Sequence, residues 1–360
     1  MARQIITAQI FSIFLSQNSV LPSAFTLTQT THSPSSRASR PRNQENSIRK
    51  SLTFTKKEGT MGSSTSSEVN YLNENISRAA SDYPIHTFRS PFLMEEEEAL
   101  VEKPKTRHAL IILNSPMKQP PSKLFCKLWE IASVRICADG GANRLYHATN
   151  NNDKDSSGYI PDLICGDLDS LEPNIRKYYE QKGVRIQRDA DQNFNDLDKA
   201  LTAIPELISE LKEMDPSSQL QINVYGAFGG RFDQEMASIQ ALYRWKDEFD
   251  FRIALYTDDT FAILLPKEYR NEIHLPFTSQ SLINEENNLS GRIGEGPTTG
   301  LIPIGCTCLA KTEGFKWNLD GSIPLQFGGL VSTSNRAEES VLIVQSSEPL
   351  VFTAEITEMN

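Results

Sequence analysis

The sequence predicts an α/β protein: a mostly parallel, Rossmann-like sheet with helices on both faces, followed by an antiparallel β-sandwich domain. Three observations carry this. Apolar runs of strand length alternate with helical stretches from Arg107 to Leu265. Acidic residues gather directly after several of those runs. Beyond Pro266 the texture changes to short β runs separated by Gly and Pro.

The expected strands of the first part are His108–Leu113, Val134–Ala138, Leu163–Cys165, Val184–Gln187, Leu220–Tyr225, Arg252–Tyr256 and Phe261–Leu265. After Asp196, apolar residues recur at Leu197, Ala200, Leu201, Ile204, Leu207, Ile208 and Leu211, the spacing of one helix face, with a kink or restart expected at Pro205. In the second part, Leu301–Ile304, Leu325–Phe327, Val341–Val344 and Leu350–Ile356 read as strands of a sandwich or barrel, and Ser279–Gly296 as a surface loop. The boundaries that follow are a disordered leader over 1–104, an α/β unit over 105–266 and a β unit over 267–360.

Residues 1–44 contain no Asp or Glu, carry Arg3, Arg37, Arg40 and Arg42, and are rich in Ser and Thr, the composition of an organelle transit segment. The run Ile10–Leu15 is too short to span a bilayer. The alternative is an upstream extension of a cytosolic protein starting at Met61, whose Gly62–Ser66 matches an N-terminal acylation pattern. We expect a cytoplasmic protein, or a mitochondrial or other organellar one if the leader is a transit segment. A formal net charge of -10 with no offsetting basic stripe argues against a nucleic-acid partner, and no membrane partner is expected. The five cysteines are an odd set, two of them inside apolar strands, as expected of free thiols in a reducing compartment. Cys306 and Cys308 lack a second ligand pair for zinc and read as same-facing strand residues.

The chemistry lies at strand ends. Cys137-Ala-Asp139-Gly-Gly141, Gly166-Asp167-Leu-Asp169-Ser170 and Asp191-Gln-Asn-Phe-Asn-Asp196 each follow an apolar run, and open α/β sheets bind ligands outside the carboxyl ends of their strands. Carboxylates collected there need a cation, and Mg²⁺ is usually held by one or two carboxylates plus substrate phosphates. Taken singly, these Asp residues are as readily helix caps or Asx turns. Gly226-Ala-Phe-Gly229-Gly230-Arg231-Phe-Asp233-Gln234 opens a helix with backbone N–H groups suited to an anion, and Arg231 adds a fork of donors. Gly140-Gly141-Ala-Asn143-Arg144 follows the same logic, although tight turns alone explain either loop. Neither fits a Walker A loop or a dinucleotide fingerprint. Together they point to nucleotide-dependent group transfer.

At this stage the chain resembles thiamine pyrophosphokinase of the eukaryotic type, over about residues 107–358. The resemblance runs through Ala138–Tyr146, Pro161–Ser170, Asp191–Asp196, Gly229–Gln234, Gly300–Gly305, Gly314–Leu319 and Phe327–Asn335, in that order. It implies transfer of a pyrophosphoryl group from ATP to the hydroxyl of thiamine, giving thiamine diphosphate and AMP. It also implies a nucleotide-binding catalytic domain at 105–266, a thiamine-binding domain at 267–360, and a homodimer with the thiamine site at the subunit interface. By the same resemblance Asp167, Asp169 and Asp196 hold Mg²⁺, with Arg231 and Asp233 beside the phosphates. Asp139, Gly140, Gly141, Asn143, Arg144, Gly229 and Gly230 line the nucleotide. Trp317 and Ser332 contact thiamine, whose cationic ring suits an indole face. The family often has Asp where this chain has Asn193, and an amide supplies no charge, so Asn193 is left out of the metal set. Either Asp169 or Asp233 could accept the alcohol proton.

Two other classes fit less well. A phosphatase using an aspartyl-phosphate would also place Asp-x-Asp after a strand, with Asp258-Asp259 as its distal acids, but leaves the Gly-rich loops and the Trp317 segment unexplained. A non-catalytic nucleotide or thiamine sensor has no need of Asp167, Asp169 and Asp196.

Overall fold

A computed structural model describes residues 83–93, 106–150, 158–211, 218–284 and 290–359. The proposed transit segment and the acylation pattern at Gly62 lie outside these residues.

The large sheet has ten strands. Its parallel half comprises β2 (Thr106–Ile112), β3 (Ala132–Ala138), β4 (Leu163–Gly166), β5 (Arg185–Arg188), β6 (Gln219–Tyr225) and β7 (Ile253–Tyr256), in the order β7-β6-β2-β3-β4-β5. These match the apolar runs of the sequence to within a few residues. Residues two apart in β2 share a face: Leu110 and Ile112 face one core, Ala109 and Ile111 the other. On the first face lie α1 (Lys123–Ile131), α2 (Gly141–Thr149) and α3 (Pro173–Gln181), through Phe125, Leu128, Leu145, Ile175 and Tyr179. On the second lie α4 (Asp196–Glu210) and α5 (Phe232–Arg244), through Leu201, Ile204, Ile208, Ala241 and Leu242.

Of the kink or restart expected at Pro205, the restart is absent: helix α4 runs unbroken through it. Leu201, Ile204, Leu207 and Ile208 stay buried on both sides of the proline, so packing outweighs the lost backbone bond. Its start is fixed by a reciprocal cap, in which the Asn195 side chain accepts from the Asp198 amide and Asp198 accepts from the Asn195 amide.

Only some of the C-terminal strands form a sheet apart from the first. A tight hairpin turns β7 into the antiparallel β8 (Thr260–Leu265), whose free edge takes β14 (Leu350–Glu358), followed by β10 (Ile293–Ile302) and β12 (Ser332–Arg336). The sheet is therefore mixed rather than mostly parallel. A second sheet, β1-β9-β13-β11, is built from β1 (Ile85–Arg89), β9 (Arg270–His274), β13 (Val341–Ser346) and β11 (Ala310–Glu313). It shares one core with the antiparallel half of the first through Phe88, Phe261, Ile273, Leu342 and Phe352. Leu325–Phe327 contributes only isolated bridges of Leu325, to Cys308 and to Leu330, rather than a strand. Cys306 is exposed and Cys308 buried, so the two do not share a face.

Strand β1 lies inside the stretch expected to be a disordered leader. It is short and half polar, which hides it in the sequence, yet it alternates as a strand must: His86 and Phe88 are buried and Ile85 is exposed. It pairs in parallel with β9, and burial of a Phe such as Phe88 contributes roughly 1.5–3 kcal/mol.

Just beyond β1, the Ser90 hydroxyl donates to the carboxylate of Glu295, which also accepts from the Tyr256 hydroxyl at 2.7 Å. The expected surface loop over Ser279–Gly296 thus ends in a fully buried acid; its first part forms the short helix α6 (Ser279–Asn284). Burial pushes the Glu295 carboxyl above its ordinary value of 4.5, and the two hydroxyl bonds only partly offset this. A raised folded-state pKa contributes stability in full below the ordinary value, and that stability is lost as pH rises through the raised one. The melting temperature of Glu295→Gln minus that of the parent should therefore climb as pH rises above the ordinary value of 4.5. A difference that stays flat across that range would mean that Glu295 ionises without penalty.

Candidate active site

The site forms where β2, β3, β4 and β6 end. Strand β3 delivers Asp139, whose left-handed backbone (φ 43°) is uncommon for a residue other than Gly and swings its carboxylate across the sheet edge. Its amide donates to the Cys165 carbonyl at 2.8 Å, locking the end of β3 to β4. Strand β4 delivers Asp167 after Gly166, and the start of α4 delivers Asp196. Ligand oxygens of Asp139, Asp167 and Asp196 all lie within 4.8 Å of one another. Gly166 makes this possible: its φ is +149°, and a Cβ there would stand 2.8 Å from the Asp139 Cβ and 2.9 Å from Asp196 Oδ1.

Three carboxylates this close oppose one another. Asp139 is only 3 % exposed, and one of its oxygens, Oδ1, has no hydrogen-bond partner among the described residues. Burial raises its pKa most; the Ser170 amide, donating to Oδ2 at 3.2 Å, lowers it, and the charges of Asp167 and Asp169 raise it again. Asp196 is raised by burial and then by Asp139 and Asp167, with partial relief from the buried Lys199, whose Nζ is 3.7 Å from Oδ1. An orphaned buried oxygen beside two more carboxylates is the donor set that a hard divalent cation takes. The residues present fit Mg²⁺.

The structure departs from the expected metal trio at one position. Asp169 is not in the cluster, and Asp139, expected among the nucleotide contacts, is. Leu168 adopts a left-handed φ of 63°, which parts Asp169 from Asp167; the Asp169 carboxylate accepts instead from Ser170 Oγ at 3.0 Å. Asn193 donates to Asp191 through both its amide and its side chain at 2.8 Å, away from the trio.

A cleft of about 220 Å³ joins this cluster to the Gly-rich loop before α5, its walls including Asp139, Asp196, Asn114, Ser115, Gly230 and Arg231. Arg231 forks onto Asp233, Nε to Oδ1 at 3.1 Å and an Nη to Oδ2 at 2.5 Å, at the exposed rim. That bond, chiefly, holds the Asp233 carboxyl below its ordinary range. Gly140, Gly141, Asn143 and Arg144 are not on the cleft wall. Gly141 sits where a Cβ would come within 2.2 Å of the Ile112 carbonyl, so α2 packs directly on the end of β2. Asn143 bridges the Ser170 carbonyl at 2.7 Å and the Glu172 amide at 3.1 Å, and Arg144 Nε donates to Asn114 at 2.8 Å. These residues brace the Asp167–Ser170 loop and the cleft floor.

Trp317 is 56 % exposed, with Lys316 Nζ 4.7 Å from its ring centroid. From the sequence, the alternating polarity of Gly314–Leu319 reads as a strand with Phe315, Trp317 and Leu319 on one face; that alternation is absent, because Gly314 (φ +84°) turns the chain after β11. Phe315 is buried while Trp317 faces outward. The buried Asn335 of β12 holds the Trp317 backbone by accepting from its amide at 3.2 Å and donating to its carbonyl at 2.9 Å. Ser332 begins that same strand. Asn335, Lys199, Asn114 and the N-cap Asn195 were not singled out from sequence. Only Asn195 left a usable signal there, an Asn three residues before Asp198 at a helix start.

Two family models match the chain: the thiamin pyrophosphokinase catalytic domain over residues 125–255 and the thiamin pyrophosphokinase vitamin B1 binding domain over residues 281–351. Thiamine pyrophosphokinase 1 of Arabidopsis thaliana is 38% identical over 286 residues, covering 77% of this chain and 95% of its own. Thiamine pyrophosphokinase 2 of the same plant is 37% identical over the same coverage. Among solved structures, yeast thiamin pyrophosphokinase aligns with a TM-score of 0.61 at 26% identity, covering 78% of this chain and 94% of its own. That of Candida albicans aligns at 0.58 and 26%, covering 78% and 95%. The chain belongs to the thiamine pyrophosphokinase family.

Proposed function

We propose that this site makes thiamine diphosphate from thiamine and ATP with one divalent cation, Mg²⁺, held by Asp139, Asp167 and Asp196. The orphaned Asp139 oxygen, facing two further carboxylates across from an anion-binding loop, carries this reading. Bound there, Mg²⁺ would neutralise charge on the polyphosphate and on the carboxylates together. Gly229, Gly230 and Arg231 would hold the phosphates from the opposite wall, with Asp233 orienting Arg231. Gly140, Gly141, Asn143 and Arg144 support the nucleotide site by fixing its floor.

The thiamine hydroxyl attacks the β-phosphorus in line with the departing AMP oxygen, so one P–O bond forms as another breaks and the hydroxyl proton is released. Positioning and charge neutralisation carry most of such a reaction. Asp233, already committed to Arg231 and held below the usual carboxylate range, is the poorer of the two possible proton acceptors. Asp169 makes no ion pair among the described residues and is the better one.

Trp317 and Ser332 form the thiamine side of the site. The indole already draws a cation over its ring in Lys316, as the thiazolium would be drawn. Trp317, Ile323, Phe327 and Leu330 are large, apolar and exposed in one stretch of chain, which supports a homodimer whose second subunit covers them. No helix among the described residues is long and apolar enough to cross a membrane, and all five cysteines are free. The free thiols favour the cytoplasm.

A coupled assay of AMP formation tests the reaction: release should require thiamine, ATP and Mg²⁺ together, and thiamine-independent AMP release would reject it. Asp167→Asn should lose activity by orders of magnitude. It should also melt higher than the parent at neutral pH. The reason is that Asp139 and Asp196 have raised folded-state pKa values, so the stability present below about pH 4 is lost as pH rises through them, and Asp167 is one cause of that loss. Turnover within about threefold of the parent at saturating Mg²⁺ would sink the metal assignment. Trp317→Ala should raise the thiamine KM strongly while sparing the ATP KM and the melting temperature, since the side chain is exposed. A large drop in melting temperature with an unchanged thiamine KM would refute the stacking role.

A further inference from the structure

The amide nest that should hold phosphate is already occupied by an anion from its own chain. Gly229, in a left-handed conformation (φ +86°), turns its amide and that of Gly230 toward one point, and both donate to Glu235 Oε1, at 2.9 and 3.2 Å. Glu235 lies on the first turn of α5, where the helix has no side-chain cap at Arg231, and it lines the same cleft as Asp139 and Asp196. The neighbouring donor group, Arg231, is likewise closed onto Asp233. The Gly229 and Gly230 amides and the Arg231 guanidinium are thus each matched to a carboxylate within six residues.

We propose that Glu235 is a built-in competitor for the polyphosphate: its carboxylate holds the Gly229–Gly230 amides in the resting enzyme and leaves them when the nucleotide binds. This rests on the assignment of that loop to the phosphates of ATP. Two amides cannot serve a carboxylate oxygen and a phosphate oxygen at the same point, and two like charges there repel. The nucleotide therefore binds only by displacing Glu235, and Glu235 returns as product leaves. The contact costs ground-state affinity and assists release. Glu235 is a positioning residue, since it touches the binding amides and not the reacting atoms.

The opposite role, in which Glu235 merely props the loop in its binding shape, predicts the opposite sign. The test is calorimetric binding of ATP with Mg²⁺ and no thiamine to the full-length protein, for the parent, Glu235→Gln and Arg231→Ala. A carboxamide still accepts from the amides but without the charge that roughly doubles such a bond, so Glu235→Gln should bind ATP about three- to tenfold tighter. Its kcat should stay level or fall as product release slows. Arg231→Ala should bind ATP more weakly. Weaker or unchanged binding by Glu235→Gln, with Arg231→Ala still impaired, overturns the competitor role and leaves the phosphate site standing. Unchanged binding by both removes the phosphates from this loop and overturns the proposal with its premise. Should Glu235→Gln fold poorly, Glu235→Asp, one methylene too short to reach the amides, should also bind ATP more tightly, and looser binding counts against the proposal.

Discussion

The structure depends on three carboxylates being held together where their own charges push them apart. Asp139, Asp167 and Asp196 come from three separate elements, and burial and mutual repulsion raise the pKa of Asp139 and Asp196. Nothing among the described residues repays this fully: Lys199 reaches only Asp196, and one oxygen of Asp139 has no partner among them. An arrangement that opposes folding in the free protein is one that a bound cation relieves.

The backbone keeps the three acids there. Asp139 sits in the left-handed region, Gly166 leaves the space where a side chain would strike two of the acids, and the Asn195–Asp198 cap fixes where α4 begins and so where Asp196 points. Asp198 is itself buried and tied to Arg244 at 3.0 Å and to the Trp245 indole at 2.6 Å, joining the start of α4 to the end of α5. The start of α4, which carries Asp196, and the end of α5 are thereby fixed to each other on one face of the sheet. On the far side, Asp258 at the end of β7 accepts from Ser122 at 2.5 Å and from Tyr225 at 2.8 Å, fixing the start of α1 to the end of β6. Helix termini and strand ends are stapled together around the cleft by polar contacts that the apolar core does not supply.

Much of this was legible in the sequence because it is written in local signals. The parallel strands are apolar runs, the helices have a regular face, and the acidic and Gly-rich motifs keep their order along the chain. What escaped depends on contacts distant in sequence or on backbone torsions. The sheet turns mixed at the β7–β8 hairpin and is extended because β14 returns to β8, a pairing no local pattern encodes. Strand β1 is five residues long and is recognisable only beside β9. The exchange of Asp169 for Asp139 in the carboxylate cluster turns on φ at Leu168 and Asp139, where the residue types give no warning. Trp317 reads as one of an alternating strand because Gly314 looks like any turn residue until its conformation is seen. Glu235 carries no motif at all; its significance comes from the two amides it meets.

The central claim is that the Asp139–Asp167–Asp196 cluster is a cation site, and anomalous diffraction from crystals grown with Mn²⁺ and a non-hydrolysable ATP analogue tests it most directly. A manganese peak bonded to oxygens of all three residues, lost in Asp139→Asn, is the result expected. A peak held by Asp167 and Asp169 with Asp139 unbound, or none at the end of β3 and β4, would contradict it.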